Sequence, residues 1–182
     1  MKFYSLKINK NIQFLIKNNI LYIKFKNNIT YIPILKDILL FQNTKKNTLF
    51  FTFSLNKKNK YFEINLKIFK LYYQLILNKI NGLINGFFSQ LECKGLGYKA
   101  KLKNSFLILK LGFSHKLSIK IPTNIHVFCS KSNNIIFFSN DKQKLYLFMY
   151  KVKAFRKPDN YKGKGLKLKK EVLKLKEGKK SQ

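Results

Sequence analysis

The stretch FKLYYQLILNKINGLINGFFSQLECKG, residues 69–95, holds the change of rhythm that decides the fold. Phe69, Tyr73, Ile76, Ile80, Leu83 and Phe87 recur at alternating steps of four and three, which marks one face of a helix. Gly86 stands where that helix should stop, because glycine enters the left-handed conformation of a C-terminal cap without a steric penalty. Phe87 to Lys94 can run extended, and Gly95-Leu96-Gly97 then breaks the run.

Upstream of this helix the rhythm is that of strands. Leu21 to Phe25 and Thr30 to Ile34 flank Lys26 to Ile29, whose Asn27-Asn28 pair suits a turn. Leu49 to Leu55 and Tyr61 to Asn65 flank a second turn at 56–60. Downstream the same order returns. Tyr98 to Lys103 and Phe106 to Leu111 bracket a turn at Asn104-Ser105, and 116–121, 125–129 and 134–138 give further short strands. A second helix opens with Asn140 as N-cap and Gln143 at the capping-box position. Leu145, Phe148, Val152 and Phe155 form its apolar stripe. Strands then one helix, twice over, predicts an α+β chain of two related domains. Each is a small, mostly antiparallel sheet packed against one helix. The expected boundaries are 1–86, 87–165 and a basic C-terminal extension over 166–182.

Charge narrows the function. The chain of 182 residues carries 38 Lys plus Arg against 7 Asp plus Glu, a formal net charge of +31. A small soluble domain usually keeps within about 2–8 charges of neutrality, so this surplus calls for a polyanion and argues against a free-standing cytosolic enzyme. Disorder is excluded by a hydrophobic fraction of 46% that includes 18 Phe. Phe, Tyr, Met, Ile, Asn and Lys make up 107 residues, and Gly, Ala, Arg and Pro only 14. The first set uses A/T-rich codons, so part of the lysine excess reflects drift of the gene. Drift does not explain why so few acids remain. The start of the chain has neither a secretory apolar core nor the composition of a transit peptide. Together with the codon bias, this points to a gene resident in an organelle, the alternatives being a processed mature chain or an A/T-rich bacterium.

Catalytic constellations are poorly represented. His115 and His126 show no ligand spacing with acids or thiols. Cys93 and Cys129 lack a CxxC arrangement and read as small buried residues. The seven acids are scattered, and no apolar run approaches the length of a membrane span. Gly163-Lys164-Gly165 lacks the Ser or Thr of a nucleotide P-loop. It does suit a phosphodiester backbone: glycines leave amides open to a phosphate, the flanking Lys162 and Lys164 neutralise it, and Tyr161 offers a plane for stacking. Arg156 is the only arginine, and a lysine surface favours many additive phosphate contacts over a fork-based sequence code.

The segment Arg156-Lys157-Pro158-Asp159-Asn160-Tyr161-Lys162-Gly163-Lys164-Gly165 resembles the R-x-P-E-P-Y-K-G-K-G signature of the family of the sixth protein of the large ribosomal subunit. Gly95-Leu96-Gly97-Tyr98-Lys99-Ala100 is similar to that family's G-x-G-Y-R/K-A. Leu111-Gly112-Phe113-Ser114-His115, Asp141-Lys142-Gln143, and Asn78, Gly82, Gly86-Phe87 and Leu91-Glu92 follow at its spacing. The chain departs from the pattern at Lys26-Asn27-Asn28, at Lys70-Leu71-Tyr72 and at Lys116. The resemblance therefore carries over the C-terminal loop better than the N-terminal contacts.

The resemblance implies a non-catalytic structural protein of an organellar large ribosomal subunit, without cofactor, small-molecule substrate or membrane. Its partners would be large-subunit rRNA near the sarcin-ricin loop and stalk base, and neighbouring ribosomal proteins. Arg156, Lys157, Lys162 and Lys164 are the expected phosphate contacts, with Tyr161 packing on RNA and Gly163 and Gly165 permitting close approach. Lys94 and Lys99, beside Gly95 and Gly97, form a second expected contact. Mitochondrion is the expected location, with a plastid as the rival. Two other classes stay open: an enzyme modifying nucleic acid, and a protein held to anionic lipid by its basic tail.

Overall fold

The computed structural model describes residues 4–7, 11–34, 38–43, 48–53, 62–130 and 133–178. Within it the chain divides into two compact units, Met1–Asn85 and Gly86–Gln182. The fold is α+β, with two related domains, and every strand pair in it is antiparallel.

The first unit contains β1 (Tyr4–Lys7), β2 (Ile12–Lys17), β3 (Ile20–Phe25), β4 (Asn28–Pro33), β5 (Ile38–Asn43), β6 (Thr48–Phe53) and α1 (Phe62–Ile84). These strands make two three-stranded sheets, ordered β1-β6-β5 and β2-β3-β4, where a single sheet was expected. The β2–β3 hairpin turns on Asn18 and Asn19, both at positive φ (51° and 56°). This matches the twist of a two-residue hairpin and suits asparagine, which tolerates the left-handed region. The β3–β4 loop is Lys26-Asn27, one residue earlier than expected, because Asn28 already pairs with Phe25.

The structure corrects the strand expected at Tyr61 to Asn65: Phe62 to Asn65 are the first turn of α1. In sequence, positions 62 and 66 continue the four-three spacing backwards from Phe69, so helical periodicity prevails over local strand propensity. The 56–60 turn lies outside the described residues. Tyr72, Ile76, Ile80 and Leu83 of α1 are buried against Ile12, Phe14, Leu21, Ile23 and Ile32. Tyr73, beside this face, is partly covered. The Tyr72 hydroxyl donates to the Pro33 carbonyl at 3.0 Å, and burial pushes its phenol up to about 12. The helix ends before Gly86, whose φ is +68°.

The second unit contains β7 (Phe87–Lys94), β8 (Lys99–Lys103), β9 (Phe106–Lys110), β10 (Leu117–Lys120), β11 (His126–Cys129), β12 (Asn134–Ser139), α2 (Lys142–Ala154) and β13 (Gly165–Leu168). Again there are two sheets, β10-β9-β8 and β11-β12-β7-β13. Leu145, Phe148, Met149 and Val152 of α2 are buried in one core with Leu91, Ile135, Phe137 and Leu166. Asp141, not Asn140, caps α2, its carboxylate accepting from the amides of Gln143 and Lys144. The Ser139 hydroxyl accepts in turn from the Asp141 amide at 3.2 Å, which fixes the cap one residue later than the sequence suggests.

The largest correction concerns the tail. Residues 166–168 are not part of a loose extension: with Gly165 they form the edge strand β13, paired with β7. Leu166 is completely buried. Lys167 lies opposite Glu92 in the ladder and pairs with it at 3.3 Å, a cross-strand ion pair of the kind that fixes register. The physical reason is alternation: in Gly-Leu-Lys-Leu the two leucines pack against the core and the lysine turns to the other face, where it meets Glu92. Leu166→Ala should therefore lower the unfolding free energy by about 2–4 kcal/mol. In a frayed tail the change would stay within about 0.5 kcal/mol, and urea denaturation distinguishes the two.

Candidate nucleic-acid interface

The loop between α2 and β13 is stitched to itself. Leu166 N–H donates to Arg156 C=O at 2.9 Å, Asp159 N–H to Lys164 C=O at 2.8 Å, and Gly163 N–H to Asp159 C=O at 2.9 Å. The Asp159 carboxylate accepts from the amides of Tyr161 and Lys162, both at 3.1 Å. This is the local side-chain-to-backbone turn that Asp favours. Those amide hydrogen bonds hold the Asp159 carboxyl below its ordinary value, with the Lys162 charge adding to them. Asp159 thus presents Tyr161 and Lys162 at the tip, where Tyr161 is exposed.

Gly165 makes the stitching possible. A Cβ there would sit 2.6 Å from the Lys157 carbonyl oxygen and 2.7 Å from the Pro158 Cα. Two backbone segments cross at this point with room for a hydrogen atom only. Gly95 has a similar role elsewhere, since its Cβ would lie 2.8 Å from the ring of the buried Tyr98. The Gly95-Leu96-Gly97 break is therefore explained by seating Tyr98 as well as by any ligand.

After β13 the chain folds back over the loop. Glu171 accepts from Lys153 Nζ at 2.8 and 2.6 Å and from the Leu168 amide at 3.0 Å. Lys176 N–H then reaches Asn160 C=O at 2.9 Å. The Lys153 ammonium and the Leu168 amide hold the Glu171 carboxyl below its ordinary value against the opposing effect of burial. Between loop and returning chain lies a hollow of about 500 Å³ lined by Lys94, Gly95, Lys162, Gly163, Lys164, Lys167, Lys169, Glu171, Val172, Leu173 and Leu175. Five lysines line it with one acid; the Lys167 ammonium is taken up by Glu92, and the Glu171 carboxylate by Lys153.

The expected residues divide accordingly. Lys94, Lys162, Gly163 and Lys164 come together around the hollow, whereas Lys99 stands on β8 opposite Lys110 and does not line it. Lys157 is exposed, and its carbonyl belongs to the crossing at Gly165. Arg156 is turned inward, its guanidinium carbon 4.8 Å from the Phe113 ring centre and 5.8 Å from that of Tyr98. It ties two loops together by cation–π contact. Lys167 and Lys169 line the hollow but escaped the sequence reading. Their spacing of two, at β13 and just past its end, was the available signal.

Among the described residues no three His, Cys, Asp or Glu could hold a metal ion, and no helix is long and apolar enough to cross a membrane. Burial pushes the Cys93 thiol up to about 11, with a smaller push from Cys129, so Cys93 stays protonated and unreactive near neutral pH.

Fold and charge together define the second unit as a basic α+β domain organised around a lysine-lined hollow. Residues 94–168 match the family model described as Ribosomal protein L6. The chain is 44% identical over 109 residues to large ribosomal subunit protein uL6m of Reclinomonas americana, covering 60% of this chain and 59% of that one. It is 43% identical over 109 residues to large ribosomal subunit protein uL6 of Chlorobium phaeobacteroides, covering 60% and 61%. The chain thus spans about three fifths of the length of the relatives it matches. The family match lies wholly within its second unit.

Two measurements probe this geometry. Gly165→Ala should lower stability by about 1–3 kcal/mol, read by denaturation, because backbone must move to admit the methyl group. Asp159 and Glu171, both ionised more readily in the folded chain, contribute stability that is present above the ordinary carboxylate value near pH 4. It is lost as pH falls through their lowered values. Glu171→Gln should accordingly destabilise the chain at neutral pH, and the gap from wild type should narrow as unfolding is measured at progressively lower pH.

Proposed function

We propose that the chain is a non-catalytic structural component of the large subunit of an organellar ribosome, and that the hollow beside Gly163 is its contact with large-subunit rRNA. The observation carrying this reading is the convergence of Lys94, Lys162, Lys164, Lys167 and Lys169 around one hollow, within or next to the segment that matches the family model. In such a contact each ammonium group displaces a condensed counterion, and affinity accumulates additively. Tyr161 at the exposed tip would stack on a base or ribose. Arg156, Lys157 and Lys99 become supporting residues: Arg156 holds the platform, and the other two add charge around it.

Docking near the sarcin-ricin loop and stalk base, beside neighbouring ribosomal proteins, extends the family resemblance to this chain. An organellar address is supported by the codon bias, and a mitochondrial one by the relative named uL6m; a plastid is the competing address. Enzymatic modification of nucleic acid and attachment to anionic lipid have no comparable support.

Lys162→Ala combined with Lys164→Ala should flatten the dependence of log K on log salt for large-subunit rRNA. The change should be roughly 1.4 to 1.8, two contacts at 0.7–0.9 each. An unchanged slope would take this loop out of the interface. Sucrose-gradient fractionation of organelle lysate should place the chain with the large subunit and not with membranes.

A further inference from the structure

The loop at 156–165 leaves the first unit unexplained. Residues 1–85 contain fifteen lysines and no arginine against Asp37 and Glu63, a surplus of 13 positive charges. One face of its β2-β3-β4 sheet is covered by α1, and among the described residues Leu15 and Tyr31 on the opposite face are exposed, with Tyr22 partly covered. On that open face Leu15, Tyr22 and Tyr31 stand directly opposite one another across the three strands. Leu15 is 64% exposed and Tyr31 68%.

The row has charge on either side. Lys17 stands two residues from Leu15 on β2, and Lys24 two residues from Tyr22 on β3, in the opposite direction because the strands are antiparallel. Two residues along a strand is about 6.8 Å, and three strands side by side span about 9.6 Å. An aromatic row thus lies between a lysine above and a lysine below, with room for two bases. At the Lys24 end the face runs into a hollow of about 350 Å³ lined by Asn11, Gln13, Lys24 and Lys26. The amides of Asn11 and Gln13 can both donate and accept there, as base edges require.

We propose that this open sheet face is a second RNA-binding surface, specific for single-stranded RNA. Tyr22 and Tyr31 stack on two unpaired bases, Lys17 and Lys24 hold the phosphates on either side, and the adjoining hollow receives a base edge. The choice of RNA as the polyanion rests on the function proposed above; the surface itself does not depend on the 156–165 loop. Charge complementarity favours RNA over a protein partner. The described residues of the face include lysines and no acid, whereas lysine is depleted at the centre of protein interfaces. Tyrosines on an open sheet are a recurring platform for unstacked bases, and a paired helix cannot present its bases to them.

The test uses the full chain and fluorescence anisotropy. One probe is a labelled single-stranded polyuridine oligomer, the other a fully paired RNA hairpin of equal length. Ionic strength is set high enough to suppress diffuse attraction. Tyr22→Ala with Tyr31→Ala should weaken oligomer binding by roughly 5- to 150-fold for each base lost, and leave hairpin binding unchanged. Tyr22→Phe with Tyr31→Phe should retain wild-type affinity for the oligomer. Tyr31→Ala alone, at an exposed position, should show its share of the loss with an unchanged circular dichroism spectrum.

Wild-type oligomer affinity in the Ala variants, as a protein-docking face would give, overturns the proposal. So does equal loss on both probes. Failure of the wild-type chain to bind the oligomer, while Lys162→Ala with Lys164→Ala still flattens the salt slope on rRNA, overturns this surface and leaves the loop reading standing.

Discussion

The second unit depends on the pairing of β13 with β7. β7 is an interior strand, bonded on one side to β12 and on the other to β13. The β13 pairing closes the chain back on itself after α2 and buries Leu166 in the core. It also sets Lys94 at the end of β7 near Lys162, Lys164 and Lys167, which the sequence separates by about seventy positions. Without β13 the lysines would be a diffuse charge on a moving tail. With it they surround a hollow.

Gathering like charges has an electrostatic consequence that the structure answers locally. Adjacent ammonium groups repel, and the repulsion is largest where water is partly excluded. Three of the chain's seven acids stand here: Glu92 pairs with Lys167, Glu171 with Lys153, and Asp159 is turned onto backbone amides. Each acid therefore holds backbone or an anchoring lysine in place, and the ammonium groups of Lys162 and Lys164 are left for an external anion. Scarce acids placed this way stabilise the loop without neutralising its surface.

Much of the second unit was legible in the sequence because its signals are short-range. The apolar stripe of α2, the turn at Asn104-Ser105 and the breaks at Gly95 and Gly97 are written in residues a few positions apart. The edge strand β13 was not legible as part of the sheet. Its residues alternate correctly, but its partner is β7, far back along the chain, and a lysine-rich run after a glycine loop reads equally well as a solvated tail. The same applies to β2, whose strand character rests on pairing with β3, and to the first turn of α1, where strand-prone residues yield to helical spacing. Of the site, the loop residues were identifiable from type and spacing. The roles of Asp159 and Arg156 were not, because they are defined by the amides and rings that tertiary structure brings to them.

Arg156 shows what that distinction means for recognition. A guanidinium is the side chain best suited to forked contacts with phosphate or guanine, and the chain has one. The structure commits it to Phe113 and Tyr98, holding the 112–115 and 95–98 loops against the root of the 156–165 loop. Only ammonium groups then remain to face an anion, and ammonium groups neutralise charge without reading sequence. On the proposed RNA-binding reading, selectivity would have to come from shape: which folded RNA brings several phosphates into one hollow at once, with a base near Tyr161. A rigid, self-crossed loop serves that end better than a flexible one, because each lysine then meets its phosphate without first losing freedom. On that reading the crossing at Gly165 and the clamp on Glu171 would do for affinity what additional charge could not.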